Sequence, residues 1–196
     1  MACNPSEVDD MSANPIPVKI VVAGGFAVGK TTFVTAISDI DPLTTEAAMT
    51  KVSEGVDDWG DATGKKSTTV AMDFGRVGLS PELVLYLFGT PGQDRFHFMW
   101  DELVRGAIGA CVLVDTGRID QCFPAIDYME NAGVPFIVAI NAFDGMLRHH
   151  PEDVREALDL PRHIPVVVTD ARHRAAVRDT LVALVRHAMT MAQSTG

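Results

Sequence analysis

Apolar residues fall into short, β-branched runs that alternate with longer stretches in which apolar positions recur every three or four residues. Such an alternation is typical of βα units built around a mostly parallel sheet. Six strands are predicted, at residues 18–24, 68–77, 83–89, 109–115, 135–141 and 164–169. Helices are predicted at residues 30–40, in the segment after Asp94, and at residues 120–133, 151–160 and 172–192.

The second and third predicted strands are separated only by residues 78–82. Because this connection is too short for a crossover helix, the two strands should form an antiparallel hairpin at one edge of the sheet. The sequence therefore predicts an α/β fold, with a six-stranded, mostly parallel sheet, one antiparallel edge hairpin and helices on both faces. The connection 39–67 has no strong period, and we expect a loop there that is functional and disordered in turn.

Size and charge narrow this picture. A chain of 196 residues, 47% of them hydrophobic, is expected to form one domain, which we assign to residues 17–196. Residues 1–16, which include acids and prolines, are predicted to be a disordered N-terminal tail. The formal net charge of −10 would repel nucleic acid and the anionic cytoplasmic leaflet alike, so neither is an expected partner.

The remaining composition points to the cytoplasm. No apolar run has the length of a membrane span, so no direct membrane insertion is expected. The three cysteines have no metal-ligand spacing, and Cys111 lies in an apolar run that is typical of a buried free thiol. A reducing compartment fits this pattern.

The first predicted strand runs directly into GGFAVGKTT. Gly24, Gly29, Lys30 and Thr31 complete the phosphate-loop pattern G-x-x-x-x-G-K-S/T in the strand-to-helix context that the motif requires. The glycines let backbone amides surround phosphates, Lys30 reaches the terminal phosphates, and the Thr31 hydroxyl ligates magnesium. The sequence thus predicts binding of a nucleotide with Mg²⁺.

Two later strand ends predict which base is bound. The fifth predicted strand ends in NAFD (141–144), and the sixth ends in TDAR (169–172). A carboxylate at Asp144 can accept hydrogen bonds from both the ring N–H and the exocyclic amine of guanine, whereas adenine has no such pair of donors. Asn141 would tie this loop to its neighbours. We therefore expect GTP and GDP as ligands.

Together, GGFAVGKTT, TVAMDF, TPGQ, NAFD and DAR resemble, in order and spacing, the motifs of Ras-like small GTPases. The resemblance covers about residues 17–192. More narrowly, FGTPGQDRF and NAFDG are similar to the small GTPases of actinobacterial conservon clusters. The resemblance implies a P-loop NTPase G domain that acts as a guanine-nucleotide switch. It also implies a roadblock-type (LC7) protein and a sensor-kinase-like protein as partners, with recruitment to the membrane through them.

The resemblance implies roles for individual residues. Gln93 would orient the attacking water, Lys30 and the amide of Gly92 would contact the γ-phosphate, and Thr69 would join Thr31 in binding magnesium. Ala171 would offer its amide to the guanine oxygen, with the stem of Arg172 beside the base. The predicted nucleotide-binding residues are Gly24, Ala27, Val28, Gly29, Lys30, Thr31, Thr32, Thr69, Gly92, Asn141, Asp144, Asp170, Ala171 and Arg172.

Three residues depart from the family pattern. Ala142 stands where the family's NKxD motif has a lysine whose stem packs on the base, which predicts weaker nucleotide binding. Phe26 stands at a glycine position of the phosphate loop and should obstruct an arginine finger from a partner. Gly89 stands where an aspartate steadies magnesium through water, so its loss should weaken magnesium binding without abolishing it.

Two other acids are candidates for the missing aspartate: Asp115, whose alternative role is to initiate a turn, and Asp73 in the second strand. Because Gln93 is present, we expect slow GTP hydrolysis. Two alternatives stay open. One is a scaffold that binds nucleotide without turnover, consistent with Gly89 and Phe26. The other is a small-molecule kinase, which shares the phosphate loop but needs an arginine-bearing lid.

The helix predicted near residue 100 has an apolar stripe, Phe96, Met99, Trp100 and Leu103, that should pack on the sheet. Phe98 lies off this stripe and should be exposed. Because the segment moves with the γ-phosphate in Ras-like proteins, Phe98 is the predicted site of a partner contact that depends on the nucleotide state.

Overall fold

A computed structural model describes residues 14–41, 43–49, 68–92 and 98–194, with the backbone alone for residues 43–49, 68–71 and 144. Its strands are β1 (Ile16–Gly24), β2 (Leu43–Met49), β3 (Thr68–Ser80), β4 (Leu83–Gly89), β5 (Gly109–Val114), β6 (Phe136–Asn141) and β7 (Val166–Thr169). Its α-helices are α1 (Lys30–Ile37), α2 (Trp100–Val104), α3 (Phe123–Asn131), α4 (Pro151–Ala157) and α5 (Arg174–Ser194). Two 3-10 segments, Thr116–Cys122 and Phe143–Gly145, follow β5 and β6.

The strands form one sheet in the order β2-β3-β4-β1-β5-β6-β7. Strands β4, β1, β5, β6 and β7 run parallel to one another, whereas β3 is antiparallel to β4 and β2 is antiparallel to β3. This confirms the predicted α/β architecture and the antiparallel β3–β4 hairpin. The hairpin is not at the edge of the sheet as predicted, because β2 pairs with the outer side of β3. All six predicted strands are present.

The sheet contains a seventh strand, β2, in a segment that the sequence pattern assigned to a loop. Its residues, LTTEAAM, show no steady alternation of apolar and polar positions, so periodicity did not reveal it. The strand is defined by its antiparallel pairing with β3, from Leu43 opposite Phe74 to Met49 opposite Thr68. Edge pairing of this kind depends on a neighbouring strand and is not readable from a local window.

Helices cover both faces of the sheet because successive residues of each strand point to opposite sides. From β1, Val21 and Ala23 enter a core packed by α2, α3 and α4. Ile20 and Val22 face the opposite core, which is packed by α1 and α5. Burial on both faces explains why the central strands read as continuous apolar runs.

The β3–β4 hairpin contains a β-bulge. Phe74 pairs with Phe88 and Gly78 pairs with Val84, but the next pair joins Ser80 to Leu83. Leu79 is therefore an extra residue on β3. The bulge fixes which β3 residue lies beside the end of β4.

The predicted tail, residues 1–16, falls largely outside the described residues, although Ile16 already belongs to β1. Within the described part of the chain, no helix has the length and apolar character needed to cross a membrane.

Candidate nucleotide-binding site

The phosphate loop connects β1 to α1 through residues in the left-handed backbone region. Gly24 has φ 134°, Ala27 has φ 56°, and Gly29, the N-cap of α1, has φ 104°. A Cβ atom on Gly24 would lie 2.5 Å from the Leu113 carbonyl oxygen, so only glycine fits there. The predicted glycines thus make a tight loop whose amides precede a helix N-terminus, the arrangement that binds phosphate.

Lys30 lies at the mouth of this loop and is 8% exposed. Its Nζ donates hydrogen bonds to the carbonyl oxygens of Gly24 (2.9 Å) and Gly25 (2.7 Å). Burial lowers the pKa of Lys30 to about 8, although the charge of Asp73 acts in the opposite direction. A Cβ on Gly92 would lie 2.7 Å from Lys30 Nζ, so Gly92 lies directly against the ammonium.

Asp73 occupies the space beside Gly89. A Cβ on Gly89 would lie 3.0 Å from both the Cβ and the Oδ2 of Asp73. The same carboxylate accepts a hydrogen bond of 2.8 Å from the Thr31 hydroxyl. An acid on β3 therefore stands at the place where the family pattern expects one on β4, in contact with the predicted magnesium ligand.

Asp115, the other candidate acid, has a different role. Its carboxylate accepts a hydrogen bond from the Gly117 amide at 2.9 Å, which caps the 3-10 segment Thr116–Cys122. It also accepts one from Arg118 Nε at 3.0 Å. Asp115 is thus the turn-initiating residue of its alternative interpretation.

These oxygen atoms suit magnesium. Hard cations such as Mg²⁺ take oxygen ligands and usually keep waters and phosphate oxygens in their coordination shell. The Thr31 hydroxyl and the Asp73 carboxylate match that preference. Among the residues that the structure describes, no group of three or more His, Cys, Asp or Glu side chains could hold a metal ion. A metal here would therefore depend on nucleotide phosphates for part of its shell.

Asn141 joins three loops at the base side. It is 5% exposed, and its Nδ2 donates to the Val28 carbonyl oxygen at 2.9 Å. Its Oδ1 accepts from the Ala171 amide at 3.1 Å. The NAFD segment, the phosphate loop and the TDAR segment are thereby fixed together, as the sequence predicted for Asn141.

The TDAR loop has internal contacts that sequence reasoning missed. The Ala171 amide donates to Asn141 Oδ1 and so has an acceptor within the protein, while its role toward the guanine oxygen stays a prediction. Arg172 donates to both carboxylate oxygens of Asp170, at 3.0 and 2.7 Å. This pairing with Arg172 lowers the pKa of Asp170 to about 2.

The remaining departures from the family pattern are visible in the structure. Phe26 is 60% exposed on the outside of the phosphate loop. Ala142 is 6% exposed and lines a cavity of about 360 Å³ together with Asp115, Arg118 and Arg148. Phe98 is 59% exposed, which confirms the expectation for its side chain.

Several predicted residues cannot be placed. Gln93 lies outside the described residues, and the side chains of Thr69 and Asp144 are not described. Their roles stay predictions. Thr32 is an exposed residue of the first turn of α1, and Val28 is buried below the loop.

The profile of a protein family described as "Conserved hypothetical ATP binding protein" matches residues 22–191. The chain belongs to this family. An uncharacterized protein of Methanocaldococcus jannaschii is 30% identical to this chain over 129 residues. The match covers 65% of this chain and 71% of that relative.

Several solved structures have a fold similar to that of this chain. The cytosolic domain of the T. maritima FeoB iron transporter, in apo form, matches with a TM-score of 0.62 and 18% identity, over 88% of this chain. This chain spans only 64% of that domain. The T. maritima FeoB G domain alone matches at 0.60 and 19%, over 88% of this chain and 99% of the G domain. The FeoB G domain of Methanococcus jannaschii matches at 0.56 and 13%, over 88% and 98%. At these identities the likeness shows the fold alone, an α/β P-loop NTPase fold.

Proposed function

We propose that the protein is a guanine-nucleotide switch that binds GTP or GDP with magnesium and hydrolyses GTP slowly. The observation on which this rests is the position of Asn141, which hydrogen-bonds to both the phosphate loop and the TDAR loop. Through Asn141 the segment that carries Asp144 is fixed at the phosphate loop, so one nucleotide spans both. The narrower assignment to the conservon type rests on the resemblance of FGTPGQDRF and NAFDG.

Each described group has a task in this proposal. Lys30 exchanges its two carbonyl acceptors for phosphate oxygens, and the absent side chain at Gly92 leaves room for the γ-phosphate beside that ammonium. Thr31 and Thr69 would hold magnesium, which supplies positive charge to the β- and γ-phosphates. Asp73 accepts the Thr31 hydrogen bond and would leave the lone pairs of that hydroxyl oxygen available to magnesium. Gln93 orients the attacking water.

Nucleotide choice is tested by displacement of a fluorescent guanine nucleotide in magnesium buffer. We expect GTP and GDP to displace it at far lower concentration than ATP, because Asp144 pairs with the two donors of guanine. An Asp144→Ala variant should lose most of this preference and still bind phosphates. Displacement by ATP in preference to GTP would favour the ligand named in the family's description and remove guanine from the proposal.

Hydrolysis is tested by single-turnover phosphate release from the GTP complex. The wild-type protein should release phosphate slowly but above background, and Gln93→Leu should reduce the rate further. The alternative is a scaffold without turnover, which the exposed Phe26 on the phosphate loop favours. Equal background rates for both proteins would decide for the scaffold.

The partners are proposed from the resemblance: a roadblock-type protein first, then a sensor-kinase-like protein, which would recruit the switch to the membrane. Phe98 is the exposed aromatic residue next to the segment expected to respond to the γ-phosphate. Titration of a purified roadblock-type protein should give tighter binding to the complex with a non-hydrolysable GTP analogue than to the GDP complex. Phe98→Ala should remove that difference, whereas Val182→Ala, on the surface of α5, should retain it.

A further inference from the structure

On the base side of the site, the chain has alanine where the family pattern has a lysine, and an arginine lines the cavity beside that position. Ala142 stands where the family pattern has lysine, and its side chain ends at Cβ on the edge of the cavity of about 360 Å³. Arg118 lies in the same cavity wall, on the 3-10 segment that follows β5. The guanidinium of Arg118 therefore lies in the lining of the cavity at which a lysine at position 142 would place its ammonium.

Arg118 reaches the phosphate loop. Its Nη2 lies 3.5 Å from the carbonyl oxygen of Ala27, a residue 91 positions away and the non-glycine member of the loop with positive φ. The contact is long for a hydrogen bond, and the Arg118 side chain is 41% exposed. It is a contact between a permanent cation and the loop backbone at its strained residue.

Asp115 fixes the position of Arg118. Its Oδ2 lies 3.0 Å from both Nε and Nη2 of Arg118, and its Oδ1 accepts the Gly117 amide. Arg118 itself has non-helical torsions, φ −144° and ψ 51°, and interrupts the 3-10 segment at that point. A capped turn and a paired guanidinium leave the side chain little rotational freedom.

The same segment supports the loop at a second point. A Cβ on Gly25 would lie 2.6 Å from Gln121 Cβ and 3.2 Å from the Gln121 carbonyl oxygen. Gln121 therefore packs directly on Gly25, while Arg118 faces Ala27 two residues further on. The segment Thr116–Cys122 forms one wall of the phosphate loop.

We propose that Arg118, held by Asp115, is a positioning residue that fixes the phosphate loop for a bound nucleotide, in a chain that has alanine at position 142 where the pattern has lysine. It acts on the loop backbone through Ala27. The inference deepens the proposed function and rests on it for the choice of guanine nucleotide, but the contact with the loop exists without any ligand.

The test compares Arg118→Ala with the double variant Arg118→Ala, Ala142→Lys. Arg148→Ala is the matched control, because Arg148 lines the same cavity from the opposite loop. The first readout is amide hydrogen exchange over residues 24–30 in nucleotide-free protein. The second is the dissociation rate of a fluorescent GDP analogue. Thermal unfolding of every variant identifies any general loss of stability.

Arg118→Ala should exchange its loop amides faster and release GDP about fivefold faster, since one partly exposed charged contact is lost. A lysine at position 142 should restore both values, and Arg148→Ala should change neither. If Arg118→Ala behaves as Arg148→Ala does in both readouts, or if Ala142→Lys restores neither, the inference is wrong. If the exchange changes as expected but the wild-type protein binds no guanine nucleotide, the inference holds and the proposed function fails.

Discussion

The phosphate half and the base half of the candidate site each depart from the Ras-like pattern at one residue, and the surroundings of the two positions differ. At the phosphate half, the acid missing at Gly89 is matched by Asp73, which fills the adjoining space and hydrogen-bonds to Thr31. At the base half, Ala142 stands where that pattern has lysine and lines a cavity, and Arg118 in the same lining lies 3.5 Å from the Ala27 carbonyl oxygen of the phosphate loop.

The difference follows from local architecture. Asp73 lies on a strand paired with β4, so the ladder brings its short side chain directly to the vacated position. Ala142 lies directly after β6, and the segment opposite it is the irregular 3-10 segment that follows β5. Only a long side chain from that segment can cross the cavity between the two loops. A carboxylate on one strand can take the position of a carboxylate on the paired strand because the ladder fixes the distance between them. Between two loops the same substitution requires a longer side chain.

The largest effect should come from the centre of the phosphate half. Lys30→Ala removes the ammonium at the loop mouth, and we expect nucleotide affinity to fall by about a hundredfold or more. Calorimetry with GDP and magnesium measures it. Lys19→Ala is the control, because Lys19 lies on β1, the strand that leads into the phosphate loop, but donates to the Glu102 and Arg105 carbonyls. Unchanged affinity in Lys30→Ala would remove the phosphate half from the site.

The link between the halves should come next. Asn141→Ala leaves the Val28 carbonyl and the Ala171 amide without their buried partner, and we expect the free energy of unfolding to fall by about 2 kcal/mol. Denaturant titration measures the loss. Asn131→Ala, on the exposed end of α3, should change it little. Comparable stability of the two variants would mean that the halves fold independently of this side chain.

The role of Asp73 in place of an acid at position 89 is tested by exchanging the residues at these two positions. Asp73→Ala should weaken magnesium-dependent nucleotide binding about tenfold. Gly89→Asp alone should be crowded, because its Cβ would meet Asp73 at 3.0 Å. The double variant Asp73→Gly, Gly89→Asp should recover binding. Titration of magnesium against the nucleotide complex measures each variant, with the exposed Asp127→Ala as control. If the double variant binds magnesium and nucleotide no more tightly than Asp73→Ala does, then Asp73 does not take the role of an aspartate at position 89.

The smallest effect is a pH dependence. In nucleotide-free protein Lys30 has a pKa of about 8, and phosphates would raise it. Binding therefore takes up a proton above that pH, so affinity is highest below pH 8 and should fall about fourfold between pH 7 and pH 8.5. Lys30→Arg, whose charge is constant over this range, should show no such slope. An affinity that rises with pH would contradict the sign.

The fold and the motif residues were predictable because their signals are local. Strand periodicity located six strands, and the phosphate-loop spacing placed Lys30 and Thr31 correctly at the start of α1, after the loop that follows β1. The edge strand β2 was missed, since its pairing with β3 is not encoded in a local pattern.

The identity of the substituting acid was not predictable. Sequence reasoning named Asp73 and Asp115 without a geometric reason to choose between them. Counting along a regular ladder from the Ser80–Leu83 pair would have put Phe74 opposite Gly89, with Asp73 one position beyond. Arg118 and Gln121 were missed as well, because contacts between an irregular segment and a distant loop have no sequence spacing.

The bulge at Leu79 gives the hairpin one spare position. Loss of a single residue between Phe74 and the tip can draw Leu79 into the ladder and leave the Asp73 carboxylate beside Gly89. A hairpin without this reserve would carry the carboxylate to the other side of the sheet after the same deletion. We therefore expect a one-residue deletion between Phe74 and the hairpin tip to leave in place the carboxylate that contacts Thr31.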